Sequence, residues 1–183
     1  MGREIRRVPP NWEHPRQKCE HSPWRGGCDE AKKHDGMCFK PIYDKSYEEA
    51  VKNWKDGYAA WEAGTHDSLE FYREDDPDMQ YWEYDSPPDR DKYRPAWKDG
   101  AATWCQVYET VSEGTPVTPA FPTKDELVEY LVQHGDFWRQ HRGEGGYSRA
   151  AAEAFVKDEC VPSMVVENGT VKVGIESAER GGE

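Results

Sequence analysis

The stretch SMVVENGTVKVGI, residues 163–175, sets two short β-rich runs on either side of Asn168-Gly169. Asn-Gly suits the two positive-φ positions of a tight turn, so the segment reads as an antiparallel hairpin. Upstream, TWCQVYETV (residues 103–111) is rich in β-formers and reads as a strand. The turn-rich SEGTPVTPAFP follows, and then TKDELVEYLVQHG (residues 123–135), where Thr123 and Glu126 form a capping box ahead of a Leu127, Tyr130, Leu131 stripe. SRAAAEAFVKD, from Ser148, predicts a further short helix. The clearest helix is SYEEAVKNWKDGYAAWEA, residues 46–63. Ser46 and Glu49 make its capping box, and Tyr47, Ala50, Val51, Trp54, Tyr58 and Trp61 recur at helical spacing. Helices and strands that do not alternate regularly predict an α+β fold, with a small antiparallel sheet and about three helices.

Between the helices the reading is looser. Residues 65–99 read as loop, broken at Pro77 and at SPPD, with MQYWEY (residues 79–84) as a short strand that sets Tyr81 and Trp82 on opposite faces. GDFWRQHRGEGG (residues 135–146) reads as a loop whose rings pack on the body.

Composition bounds the core. Only 36% of the 183 residues are hydrophobic and 33% are charged, with a mean hydropathy of −1.06. Eight Trp, ten Tyr and five Phe argue against disorder, because disordered chains are poor in rings. The core is therefore expected to rest on rings more than on aliphatics. The net charge is −12 and unevenly placed: residues 1–40 carry nine Lys/Arg against six Asp/Glu, and residues 41–183 carry fifteen against thirty. Such a body repels nucleic acid and suits docking on a basic protein surface.

The positive end holds the soft-ligand chemistry. In CEHSPWRGGCDEAKKHDGMC (residues 19–38), Cys19, Cys28, His34 and Cys38 follow a C-x8-C-x5-H-x3-C spacing. Three thiols and an imidazole satisfy tetrahedral zinc with no open position. The intervals resemble those of C-x8-C-x5-C-x3-H zinc fingers with the last two ligand types exchanged. His21 is an alternative to His34, and His14 is a spare candidate. Zinc is preferred over free thiols and over a disulfide. The expected organisation is a zinc-stapled segment at 1–40, an acidic α+β body at 41–175 and a polar tail at 176–183. No apolar leader or membrane-length run is present, which predicts a cytoplasmic protein with no membrane partner.

A search for catalysis returns little. There is no glycine-rich nucleotide loop, no G-x-S-x-G elbow and no H-E-x-x-H helix. Cys105 and Cys160 read as structural thiols. The chain is read as a non-enzyme whose contacts are carboxylates and rings: Glu74, Asp75, Asp76 and Asp78, with Tyr81, Trp82, Tyr84 and Trp97 as anchors.

Several blocks together, RRVPPNWEHP, SYEEAVKNWKDGYAAWEAG, YWEYDSPPDRDKYRPAW, WCQVYETVSEGTPVTPAFPTKDELVEYLVQHGDFW and AFVKDECVPSMVV, resemble a group of small acidic proteins carried by bacteriophages and prophages. The resemblance spans most of the chain and transfers no reaction. It implies an anti-CRISPR role, in which the protein binds a type II RNA-guided nuclease inside a bacterial host and blocks DNA binding or cleavage without chemistry of its own. Two other readings remain: an accessory phage protein-interaction module, and a zinc-stabilised nucleic-acid binder using Arg3, Arg6 and Arg7.

Overall fold

The computed structural model describes residues 2–18, 36–69, 71–72, 76–110, 114–167 and 169–178. Cys19, His21, Cys28 and His34 of the expected zinc site lie outside the described residues, as do Glu74 and Asp75 of the expected contact surface. The chain divides into two compact units, one formed by Met1–Pro41 with Trp97–Glu183 and the other by Ile42–Ala96. Both are mixed α and β.

The first unit is built on a three-stranded antiparallel sheet in the order β6-β1-β7, where β1 is Arg3–Val8, β6 is Trp104–Glu109 and β7 is Cys160–Val161. β1 is the middle strand. It pairs with β6 from Arg3↔Glu109 to Val8↔Trp104, and with β7 at Arg3↔Val161 and Glu4↔Cys160. Alternation along β6 splits its side chains between two faces. Cys105 and Val107 face a core shared with Leu127 and Leu131 of α3 (Lys124–His134) and Phe155 of α5 (Arg149–Asp158). Thr123 caps α3 by accepting from the Glu126 amide, and Ser148 caps α5 by accepting from the Ala151 amide. Both caps satisfy a helix-end N–H that would otherwise lack a partner. Between these helices, Phe137–His141 forms the short helix α4 where a loop was expected; the Asp136 carboxylate accepts from the Arg139 amide and starts it.

Two further ribbons complete this unit. β2 (Arg16–Lys18) pairs antiparallel with β3 (Met37–Phe39), so chain positions 18 and 37 stand opposite one another. The hairpin expected near the end is present as β8 (Met164–Glu167) and β9 (Thr170–Val173), in register from Met164↔Val173 to Glu167↔Thr170.

In the second unit β4 (Tyr43–Ser46) leads into α1 (Tyr47–Glu62) and pairs in parallel with the two-residue β5 (Tyr93–Arg94). The Ser46 hydroxyl accepts from the Glu49 amide, the cap expected from the sequence. The aromatic stripe of α1 is a packing face. Trp61 is 1% exposed, and Trp54, Tyr58 and Trp61 each pack on Tyr81, with ring centroids 5.4–5.9 Å apart. Such ring pairs add favourable contact beyond the area they bury. Residues 81–84 are not the expected strand but a single helical turn, α2 (Tyr81–Tyr84). Gln80 and Glu83 close a capping box around its first turn, and the i, i+3 spacing carries both Tyr81 and Tyr84 onto Trp61. Gly57 sits in α1 directly against Tyr81, whose hydroxyl occupies the space a Cβ would need.

Candidate functional site

The smaller unit, Ile42–Ala96, holds fifteen Asp/Glu against seven Lys/Arg, a balance of −8 out of the chain's −12. Its rings divide into an inner and an outer set. Tyr81 is 3% exposed, and its hydroxyl donates to Asp85 Oδ2 at 3.1 Å. Burial first, then that carboxylate, pushes the phenol up to about 12, so Tyr81 stays a neutral donor. Tyr84 is half-buried, stacked on Trp61 at 5.4 Å, with its hydroxyl 3.0 Å from Ser68 Oγ. Trp82, on the other side of the same turn, is 48% exposed. Asp76 and Asp78 are also exposed, the Asp78 amide donating to Asp76 Oδ1 at 3.2 Å. Phe71 and Tyr72, which the sequence reading passed over, are exposed as well and pack edge to face at 5.1 Å. Their signal was present: two rings separated by a single arginine from an acidic run. Trp97 belongs to the other unit, where it packs edge-on against Trp12 at 5.2 Å.

The larger unit has an open cleft of about 540 Å³ walled by Trp12, Phe39, Tyr130 and Phe137, with His14 and Gln106 in its lining. A hydrogen-bonded chain runs through it. His14 Nε2 donates to the Lys40 carbonyl at 2.7 Å, and Nδ1 lies 3.0 Å from the Tyr108 hydroxyl. That hydroxyl also accepts from Trp12 Nε1 at 3.3 Å and stands 3.0 Å from Gln106 Oε1, while Gln106 Nε2 donates to the Thr118 carbonyl. Burial brings the His14 imidazole down to about 4, so at neutral pH it is uncharged. Nδ1 is then an acceptor, and the single Tyr108 proton is shared between Nδ1 and Gln106 Oε1. Both ring nitrogens are occupied by protein groups, which makes His14 a structural clip between the base of the β2–β3 ribbon and β6 rather than an open general base.

The thiols divide similarly. Cys105 is fully buried against the Phe121 and Thr123 carbonyls, and burial pushes its thiol up, away from the thiolate that nucleophilic chemistry needs. Cys160 is exposed. Of the zinc ligands only Cys38 is described; it lies half-buried on β3 opposite Gln17. Among the described residues, no three His, Cys, Asp or Glu side chains converge as a metal site, and no helix is long and apolar enough to cross a membrane. Of the three cations that a nucleic-acid contact would use, Arg3 and Arg6 are 5% and 6% exposed and pair with Asp136 and Glu4, while Arg7 is exposed and pairs with Glu159. No family model matches the chain, and neither the curated proteins nor the solved structures contain a match to it.

Proposed function

We propose that this protein is a non-catalytic inhibitor, carried by a phage, that docks its acidic unit on the basic nucleic-acid channel of a type II RNA-guided nuclease. The observation that carries this reading is the concentration of −8 in the fifty-five residues of Ile42–Ala96, around a closed ring core that leaves Trp82 outside. RNA-guided nucleases hold their heteroduplex in a positively charged channel and read the PAM with arginines. An acidic body is steered to such a channel, and a half-exposed Trp supplies the anchoring ring that interfaces favour. With Arg3 and Arg6 buried and the exposed Arg7 paired with Glu159, this reading is favoured over direct nucleic-acid binding.

The proposal includes one zinc ion on Cys19, Cys28, His34 and Cys38. The β2–β3 pairing supports it, because it brings the two ends of the Cys/His-rich segment together and carries Cys38 at the closing strand. A structural zinc would supply the folding energy that a segment with so few apolar side chains lacks.

The deciding experiment is cleavage of target DNA by guide-loaded type II nucleases, with the protein titrated in before or after the DNA. Stoichiometric inhibition only when the protein is added first, weakened by Trp82→Ala and by the pair Asp76→Lys and Asp78→Lys, is the expected result. Absence of inhibition across several nuclease orthologues by folded protein would overturn the nuclease reading and leave the accessory protein-interaction module in its place.

A further inference from the structure

The β8–β9 hairpin is built inside out. Its cross-strand pairs alternate between two faces, as pleating requires. One face carries Met164 with Val173 and Val166 with Val171; the other carries Val165 with Lys172, and Thr170. An antiparallel ribbon with one wet face ordinarily turns its aliphatic side inward. Here Met164, Val166, Val171 and Val173 are 56%, 63%, 56% and 49% exposed, while Val165 and Lys172 on the mixed face are half-buried. The register is set by four consecutive pairs, so the outward face is a property of the whole ribbon and not of one stray rotamer.

We propose that this aliphatic face is a two-fold self-association surface, on which a second copy of the chain lays the same four side chains. Three observations select that occupant. Among the described residues, the large exposed aliphatic side chains all lie on this face; the other exposed apolar groups are rings. A head-to-tail contact between copies needs a second complementary patch, whereas an isologous contact needs only this one. The segment 163–173 is also charge-balanced, with Glu167 and Lys172 as its two charges, so two molecules of net charge −12 meet at a neutral spot. A lipid surface is disfavoured because an anionic headgroup layer repels so acidic a chain. Finally, the area sets the strength. Four half-exposed side chains at roughly 100–150 Å² each offer on the order of 250–350 Å² per copy, a size typical of functional patches on monomers. A pair then buries on the order of 500–700 Å², well short of the ~1,200 Å² at the lower end of stable interfaces. The dimer is consequently weak and reversible, forming as concentration rises.

Because the remaining surfaces repel, salt strengthens this association by screening. That response is opposite to the docking of an acidic unit on a basic partner, so the two contacts are separable by ionic strength alone. Sedimentation velocity of the full chain, from low micromolar to submillimolar, tests the proposal. The expected result is a monomer–dimer equilibrium that tightens several-fold between low and high salt. Val171→Lys should hold the chain monomeric throughout with an unchanged far-UV circular dichroism spectrum, and Val171→Thr, nearly isosteric, should weaken association only in part. A wild-type chain that stays monomeric at every concentration and salt would overturn the proposal. So would a dimer that Val171→Lys and Val166→Lys leave intact, or one that dissociates as salt is raised.

Discussion

Asp136 holds two parts of the larger unit together, and its replacement gives the sharpest test of the fold's electrostatics. Its carboxylate is 1% exposed and lies 2.8 Å from the Arg3 Nε on the middle strand; its other oxygen accepts from the Arg139 amide and begins α4. Arg3 is itself buried and donates through Nη1 to the Gly2 carbonyl. Asp136→Asn keeps an acceptor for the Arg139 amide and nearly the same volume, but leaves the buried Arg3 guanidinium without its counter-charge. Breaking a buried ion pair from one side costs about 3–5 kcal/mol, so Asp136→Asn is expected to destabilise the unit by about 3 kcal/mol. Asp136→Ala adds the lost cap, about 1 kcal/mol more. Removing both charges in Arg3→Met with Asp136→Leu should cost less than the sum of the two single changes, because no charge is then buried without its counter-charge and only the cap is lost. Urea unfolding followed by far-UV circular dichroism reads these differences through the midpoint, given an unchanged slope. If Asp136→Asn lies within about 1 kcal/mol of the wild type, or if the double variant equals the sum of the singles, the pair is not the buried, mutually dependent contact described above.

Three further outcomes follow from the same reasoning. His14 is lowered by burial from 6.5 to about 4, so the unfolded chain binds its proton first and stability falls as pH drops from about 6.5 to about 4; the loss approaches roughly 3 kcal/mol at about 1.4 kcal/mol per pKa unit, and His14→Gln should flatten that part of a pH–stability curve. In an isolated helix Gly57→Ala would gain about 1 kcal/mol, but here the new methyl meets the Tyr81 hydroxyl, and overpacking of about 1–3 kcal/mol should produce a net loss in thermal melts together with a changed near-UV ring signal. Protein purified without chelator should carry one zinc per chain by elemental analysis, and Cys28→Ser should release it while the far-UV spectrum of the α+β body is largely retained; well under one zinc in the wild type removes the metal from the proposal.

The sequence disclosed those elements whose local chemistry is self-sufficient. Ser46, Thr123 and Ser148 cap the three long helices at the expected places, and the two runs flanking positions 168 and 169 pair as the expected antiparallel hairpin. What escaped were elements defined by distant partners. β1 escaped because Arg3, Arg6 and Arg7 read as exposed contact cations, whereas Arg3 and Arg6 occupy buried positions; Asp136, 133 residues away, pairs with the first of them. YWEY fits either a strand or a helical period, and the choice falls to Trp61, onto which the helical turn α2 carries both Tyr81 and Tyr84. At the site level, the acidic run and Trp82 were legible, but which of the neighbouring rings turn inward depends on the α1 stripe that receives them. The hairpin's outward aliphatic face could not be read at all: alternation says that two faces differ, not which of them meets water.

The position of β1 at the middle of its sheet also sets a timetable for synthesis. The strand precedes both of its partners in the chain, which lie at Trp104–Glu109 and Cys160–Val161. At roughly 5–20 residues per second, β1 waits on the order of 5–20 s for its first neighbour and longer for its second, with both edges open. An uncharged strand exposed for that long is a template for pairing with the wrong chain. The three arginines of REIRRV guard against this, since charge on an unpaired edge discourages such pairing. Replacing Arg6 and Arg7 by valine should therefore lower the soluble yield on refolding, even though valine is the better strand former. On this reasoning the arginines keep the strand soluble while it waits; Glu4, two residues from Arg6, pairs with it within the strand, and Asp136 pairs with Arg3 only when the folded unit forms.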